Sequence, residues 1–234
     1  MDGKLIVIEG LDGSGKATQA ALIRQDLERE GLLVEQISFP DYGSDSSALV
    51  KMYLRGEFGS HADDVNAYAA SSFYAVDRYA SYKKGWKKTL DAGGIVIADR
   101  YTTSNTIYQC SKLPAERWDK FLDWLFHYEY ELLGIPKADL TVYLHVEPEV
   151  SQELMNRRYD GDEAKKDIHE KDMEYIERSQ KAARYCAKKL GWNVIECCNG
   201  KEMRSIGEIH EDIMAIARKC LDDCSDINND FCFC

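Results

Sequence analysis

The residues with the clearest chemical reading lie in the stretch from Leu5 to Gln19, LIVIEGLDGSGKATQ. Lys16 closes a run made of Gly10, Leu11, Asp12, Gly13, Ser14 and Gly15. Glycines at this spacing let the backbone curl until several N–H groups converge on one anion. The lysine adds a charge that can reach the outer phosphates of a nucleotide, and a helix start adds a partial positive charge. The run fits G-x-x-x-x-G-K-[ST] at every position but the last, where Ala17 replaces the hydroxyl that would bind magnesium. Thr18 comes one residue late and is expected to point elsewhere on the helix.

Two further constellations stand apart in the chain. Asp99-Arg100-Tyr101 follows an apolar run, GIVIA, from Gly94 to Ala98. In open parallel sheets ligands bind beyond the carboxyl ends of strands, so an Asp-Arg pair there suits metal and phosphate; the plainer reading is a surface ion pair. Tyr74 and Arg78 are four residues apart on a helical stretch and share its face.

These groups need elements to carry them. Short apolar runs at Leu5–Ile8, Leu33–Phe39, Gly94–Ala98, Leu140–Val146 and Asn193–Cys197 read as strands. Helical patterns fall between them: Thr18 to about Arg29, Ser46–Leu54, Asp64 to about Leu90, Ala115–Leu133, Glu149–Arg157, a stretch ending near Leu190, and Ile206–Leu221. This alternation predicts an α/β fold, a five-stranded parallel sheet with helices on both faces. With no repeat and no linker, residues 1–222 read as one domain. A polar run near 157–171 reads as a solvated segment, and 223–234 as a disordered tail containing cysteines. The helix with Trp118, Phe121, Trp124, Leu125 and Tyr128 reads as core or as a dimer face, and with the latter goes a homodimer.

The chain has 234 residues, 44% hydrophobic, and a net charge of −11. That balance argues against nucleic acid or an anionic membrane surface as a partner. No run approaches a membrane span. The N-terminus enters the first strand without a signal-peptide pattern, so the eight cysteines read as reduced thiols in a cytoplasmic protein.

The motifs together resemble the thymidylate kinases, a branch of the nucleoside-monophosphate kinases among the P-loop NTPases. The resemblance rests on Glu9-Gly10-Leu11-Asp12-Gly13-Ser14-Gly15-Lys16, Phe39-Pro40-x-Tyr42, Tyr74-Ala75-Val76-Asp77-Arg78 and Asp99-Arg100-Tyr101-x-x-Ser104-Asn105-x-x-Tyr108-Gln109. It covers nearly the whole chain and implies the three-layer P-loop kinase architecture, with 157–171 as a lid. It implies ATP- and Mg2+-dependent phosphorylation of dTMP to dTDP. The alternatives are another deoxynucleotide or deoxynucleoside kinase, and a nucleotide-binding protein without turnover, which Ala17 motivates.

The resemblance also implies roles. The segment Gly10–Thr18 would bind ATP, with Lys16 on its phosphates. Asp12 would hold the sugar 3′-hydroxyl and help position the metal, and Asp99 would ligate magnesium directly or through water. Arg100 would grip the acceptor phosphate, with Phe39 and Tyr42 lining that end. Tyr74, where the family usually has Phe, would stack on thymine. Arg78 would read a thymine carbonyl and Asn105 a second base edge. Tyr108 would pack against the sugar 2′ position, and Ser104 joins these substrate-binding residues. Gly13 leaves the loop without an arginine for the transferred phosphoryl, so Arg157 and Arg158 at the start of the lid would supply it, with Asp167 and Glu170 as lid-side acids.

Overall fold

The structure is a computed structural model that describes residues 2–147, 149–151, 153–154 and 173–222. The strands β1 (Lys4–Gly10), β2 (Val34–Ser38), β3 (Ile95–Asp99), β4 (Leu140–His145) and β5 (Asn193–Glu196) form one sheet in the order β2-β3-β1-β4-β5. Every pairing in it is parallel. The expected α/β architecture is therefore the observed one.

β1 is central because both of its faces are apolar. Strand side chains alternate between faces. Ile6 and Ile8 join Ile23 and Leu27 of α1 (Lys16–Arg29) and Ile209 and Ile213 of the last helix, Ile206–Asp222. Leu5 and Val7 join Val96, Ala98, Trp86 and Tyr101 on the opposite face. Each such burial contributes about 1.5–3 kcal/mol, so two packed faces fix the register of β1 firmly. That register sets Ile8 beside Asp99 and Gly10 beside Leu144. The glycine loop and the Asp99-Arg100 pair thus leave the same edge of the sheet from neighbouring strands.

Several elements differ from expectation. After α2 (Ala48–Leu54), the long helix expected from Asp64 to Leu90 is two helices, α3 (Ala67–Lys84) and α4 (Lys87–Asp91), separated at Gly85. Asn66 starts α3 by accepting from the backbone N–H groups of Tyr68 and Ala69, both at 3.0 Å. Between β3 and α6 (Trp118–Phe126) lies an unexpected helix, α5 (Thr102–Cys110). Its threonines, serine and asparagine are weak helix formers, yet most of its residues are buried and packing holds it. The aromatic helix does not stay α-helical to Leu133: His127–Leu132 forms a π-helical turn. Helix α7 (Met173–Lys189) follows β4, and a two-stranded antiparallel hairpin, Cys198–Asn199 with Glu202–Met203, precedes α8 (Ile206–Asp222). The expected lid, with Arg157, Arg158, Asp167 and Glu170, and the cysteine-containing tail lie outside the described residues.

Candidate active site

The glycine loop joins β1 to α1. A Cβ on Gly10 would sit 2.9 Å from the Leu144 carbonyl oxygen, so the loop can leave the sheet here only as glycine. Gly15 caps α1 in the left-handed region, φ 86, where a side chain would be strained. Gly13 is left-handed too, and Leu11 accepts from the Ser14 N–H at 3.3 Å, which tightens the curl. Lys16 folds back over the loop and donates to the Leu11 carbonyl at 2.8 Å and to Ser14 Oγ at 3.5 Å. Burial, with the nearby Arg100 charge, pushes its pKa down to about 8, against the opposing pull of Asp12, Asp99 and Glu9. Ala17 and Thr18 are exposed in the first turn of α1.

Arg100 stands over this loop. It is the one non-glycine residue with positive φ among the described residues, at 70°. Such backbone costs of order 1–3 kcal/mol and concentrates at functional sites. Its N–H donates to the Ile8 carbonyl at 3.1 Å, which ties it to β1. The guanidinium pairs closely with Asp12, lies 3.7 Å from Glu9, donates to Tyr108 Oη at 3.3 Å and sits 5.4 Å from the Tyr108 ring centroid. Burial works against its charge, but Tyr108 and the carboxylates of Asp12, Glu9 and Asp99 outweigh that and hold its pKa well above the usual value. Tyr108 Oη donates to Asp12 Oδ2 at 3.4 Å, and burial raises its own pKa. Ser151 donates to the Asp12 carbonyl at 2.6 Å. Asp12, Arg100 and Tyr108 are therefore one contact group.

Asp99 ends β3 beside this group. Its Oδ1 is buried without a hydrogen-bond partner. A buried carboxylate oxygen left in that state needs a cation or a donor. No group of three or more His, Cys, Asp or Glu able to hold a metal occurs among the described residues. A hard cation here would accordingly take most of its ligands from water and phosphate oxygens, which suits magnesium.

Tyr74 and Arg78 lie on α3. Tyr74 is partly buried against Tyr53, the rings edge-on at 6.5 Å. Arg78 is 1% exposed and is clamped on Glu129: Nε donates to Oε2 at 2.7 Å and Nη2 to Oε1 at 2.6 Å. Nη1 donates to the Tyr101 carbonyl at 3.4 Å. Burial disfavours the Arg78 charge, but Glu129 more than compensates and its pKa rises. Asn105 meets the same carboxylate, donating from Nδ2 to Oε1 at 3.0 Å and to the Ser71 carbonyl at 3.2 Å. Tyr175 of α7 stacks on Tyr108, centroids 6.4 Å apart, and donates to its carbonyl at 2.9 Å.

The remaining candidates are placed less directly. Phe39 is buried against Tyr101 at 6.0 Å, before a cis bond to Pro40. Tyr42 is 57% exposed in the turn that follows. Ser104 donates to Glu9 Oε2 at 2.8 Å, so its hydroxyl is turned to the protein.

Sequence reasoning did not assign roles to Glu9 or Glu129. Glu9 is fully buried and accepts from Thr103 and Ser104 hydroxyls and from the Gly10 N–H. It is an acid in an otherwise apolar strand, a pattern that signals a buried anchor. Glu129 continues the fully buried stripe Phe121, Leu125 at four-residue spacing. An acid on such a stripe had a readable signal, which the aromatic neighbours obscured.

The family model for thymidylate kinase matches residues 8–213. A thymidylate kinase of Mycobacterium tuberculosis is 33% identical over 179 residues, covering 75% of this chain and 81% of its own length. One from Danio rerio is 25% identical over 222 residues, covering 94% and 92%. A solved thymidylate kinase from Candida albicans has the same fold, with TM-score 0.70 at 23% identity over 93% of this chain and 92% of its own. The family model and these relatives together show that the chain belongs to the thymidylate kinase family.

Proposed function

We propose that this site transfers the γ-phosphoryl group of ATP to dTMP, giving dTDP, with the residues acting as follows. Loop amides and Lys16 hold the ATP phosphates, the Lys16 ammonium exchanging the Leu11 carbonyl for phosphate oxygens. Arg100 grips the phosphate of dTMP, while Asp12 aligns it and binds the sugar. The observation that carries this reading is the pairing of Arg100 with Asp12 of the glycine loop. The attacking oxygen is already anionic, so no general base is needed. Catalysis is positioning and charge stabilisation. Asp99, through its orphaned Oδ1, would hold Mg2+, which neutralises charge on the β- and γ-phosphates when bound. The lid arginines Arg157 and Arg158 would support the transferred group.

Tyr74 stacks on the base, Arg78 and Asn105 read its edge, and Tyr108 blocks a 2′-hydroxyl. Residues 1–222 act as a single kinase domain. The acidic balance, a net charge of −11, argues against nucleic acid as a partner. No helix among the described residues is long and apolar enough to cross a membrane. The free thiols Cys110, Cys186, Cys197 and Cys198 suit the cytoplasm. For a homodimer, exposed Tyr68, Val76 and Tyr79 along α3 offer a face; a monomer in sedimentation would remove it. A steady-state coupled assay with dTMP, dUMP, dCMP and dGMP tests the assignment. The highest kcat/KM is expected for dTMP, and equal use of dCMP would overturn the acceptor reading.

A further inference from the structure

Among the described residues, Glu129 has a place in the fold unlike that of any other carboxylate. It is fully buried, on the π-helical turn His127–Leu132, and its two oxygens receive hydrogen bonds from three side chains on two other helices. Arg78 Nε and Thr102 Oγ1 donate to Oε2 at 2.7 and 2.8 Å. Arg78 Nη2 and Asn105 Nδ2 donate to Oε1 at 2.6 and 3.0 Å. π turns recur at functional sites because the extra residue re-aims a side chain. Glu129 lies on this turn and continues the buried stripe begun by Phe121 and Leu125.

An ionised carboxylate only accepts. This fixes the polarity of everything it touches. Both hydrogens of the Asn105 amide are taken, one by Glu129 and one by the Ser71 carbonyl. The group Asn105 has left to offer is its carbonyl oxygen, an acceptor. Arg78 keeps one N–H on each of Nη1 and Nη2, which are donors. Donor beside acceptor complements the C4 carbonyl and N3–H of thymine or uracil. It opposes the amino group and bare N3 of cytosine.

We propose that Glu129 is the positioning residue that gives the acceptor pocket its preference for a 4-keto pyrimidine, by orienting the Asn105 amide and the Arg78 guanidinium. This rests on the reading that Arg78 and Asn105 face the base. Glu129 touches no substrate in it. A glutamine at the position can donate as well as accept, so it no longer enforces the orientation of the Asn105 amide, which the Ser71 carbonyl alone then holds.

The test is the ratio of kcat/KM for dTMP to that for dCMP, measured in wild type, Asn105→Ala and Glu129→Gln, with KM for ATP and thermal unfolding alongside. Asn105→Ala and Glu129→Gln are each expected to lower the ratio about ten- to hundredfold, the scale of a charge-assisted or base-edge hydrogen bond, with KM for ATP unchanged. A merely structural loss would lower both acceptors together and leave the ratio alone. If Asn105→Ala lowers the ratio and Glu129→Gln does not, the role of Glu129 is overturned and the base reading stands. If Asn105→Ala leaves it unchanged, the base reading falls and the proposal with it. Should Glu129→Gln not fold, the charge-free pair Arg78→Met with Glu129→Leu replaces it. Adding Asn105→Ala to that pair is expected to lower the ratio by less than it does in wild type, because only the Ser71 carbonyl still holds the amide. A drop as large as in wild type would overturn the proposal.

Discussion

Lys16 on the glycine loop and Arg78 on α3 are compensated in opposite ways. In the phosphate half, Lys16 is a cation held by a carbonyl and a hydroxyl, and its pKa is depressed to about 8. In the base half, Arg78 is a cation matched by a bidentate carboxylate, and its pKa is raised. The first cation is under-compensated and gains when an anionic phosphate arrives. The second is already neutralised and, in the proposed reading, would serve as a rigid donor for a neutral base. Lys16 thus keeps a cost in the empty state that a ligand anion relieves, whereas Arg78, like Arg100 among its carboxylates, is settled before any ligand arrives.

The largest test of this contrast is a pair of truncations. Lys16→Ala should cut kcat by about 10²–10³-fold, the scale of losing one donor to the transferring group, and leave chemical stability unchanged or slightly raised. Arg78→Ala should destabilise the fold by about 3–5 kcal/mol, because it abandons Glu129 as a buried unpaired charge. Urea unfolding of the two variants checks this, and equal losses of stability would erase the distinction.

A second expectation concerns pH. Lys16 is protonated below about 8 in the ligand-free protein and neutral above it, because burial and Arg100 hold its pKa under the usual 10.5. The kcat/KM for ATP, which reports the free enzyme, should fall about tenfold per unit above that point. The unfolded chain keeps this proton longer, so the same group makes the ligand-free fold gain stability between about pH 8 and 10.5. Arg78 and Arg100, with raised values, stay charged throughout. A flat profile for ATP would show that Lys16 is not under-compensated in solution.

The smallest effect belongs to Ala17. It is exposed in the first turn of α1, where a hydroxyl could join a metal shared by Asp99 and phosphate. Ala17→Ser should lower the magnesium needed for half-maximal rate by roughly a few-fold, as one more oxygen ligand would. Superimposable magnesium titrations would place the metal away from α1.

The phosphate half was legible because its chemistry is contiguous. Gly10 to Lys16 is a single turn, and the apolar run before it demands a strand covered on both faces. The Asp99-Arg100 pair was legible from its place after an apolar run. The base half was only partly so. Tyr74 and Arg78 share a helix face, as their spacing implied, but Arg78 is turned onto a partner 51 residues away. Helix α5 carries Ser104, Asn105 and Tyr108, yet its propensities argue for a loop, and only burial in the tertiary structure makes it a helix.

By itself the sequence determined the parallel α/β fold, the anion-binding turn and the family, because each follows from local pattern: alternation, glycine spacing and short motifs. Tertiary structure decided which charges are matched. That Lys16 is left with a carbonyl while Arg78 receives Glu129 depends on β1, α3, α5 and the π turn converging. Hydrogen bonds between charged groups act over about 3 Å, and only the folded chain brings residues 78, 105 and 129 within that reach.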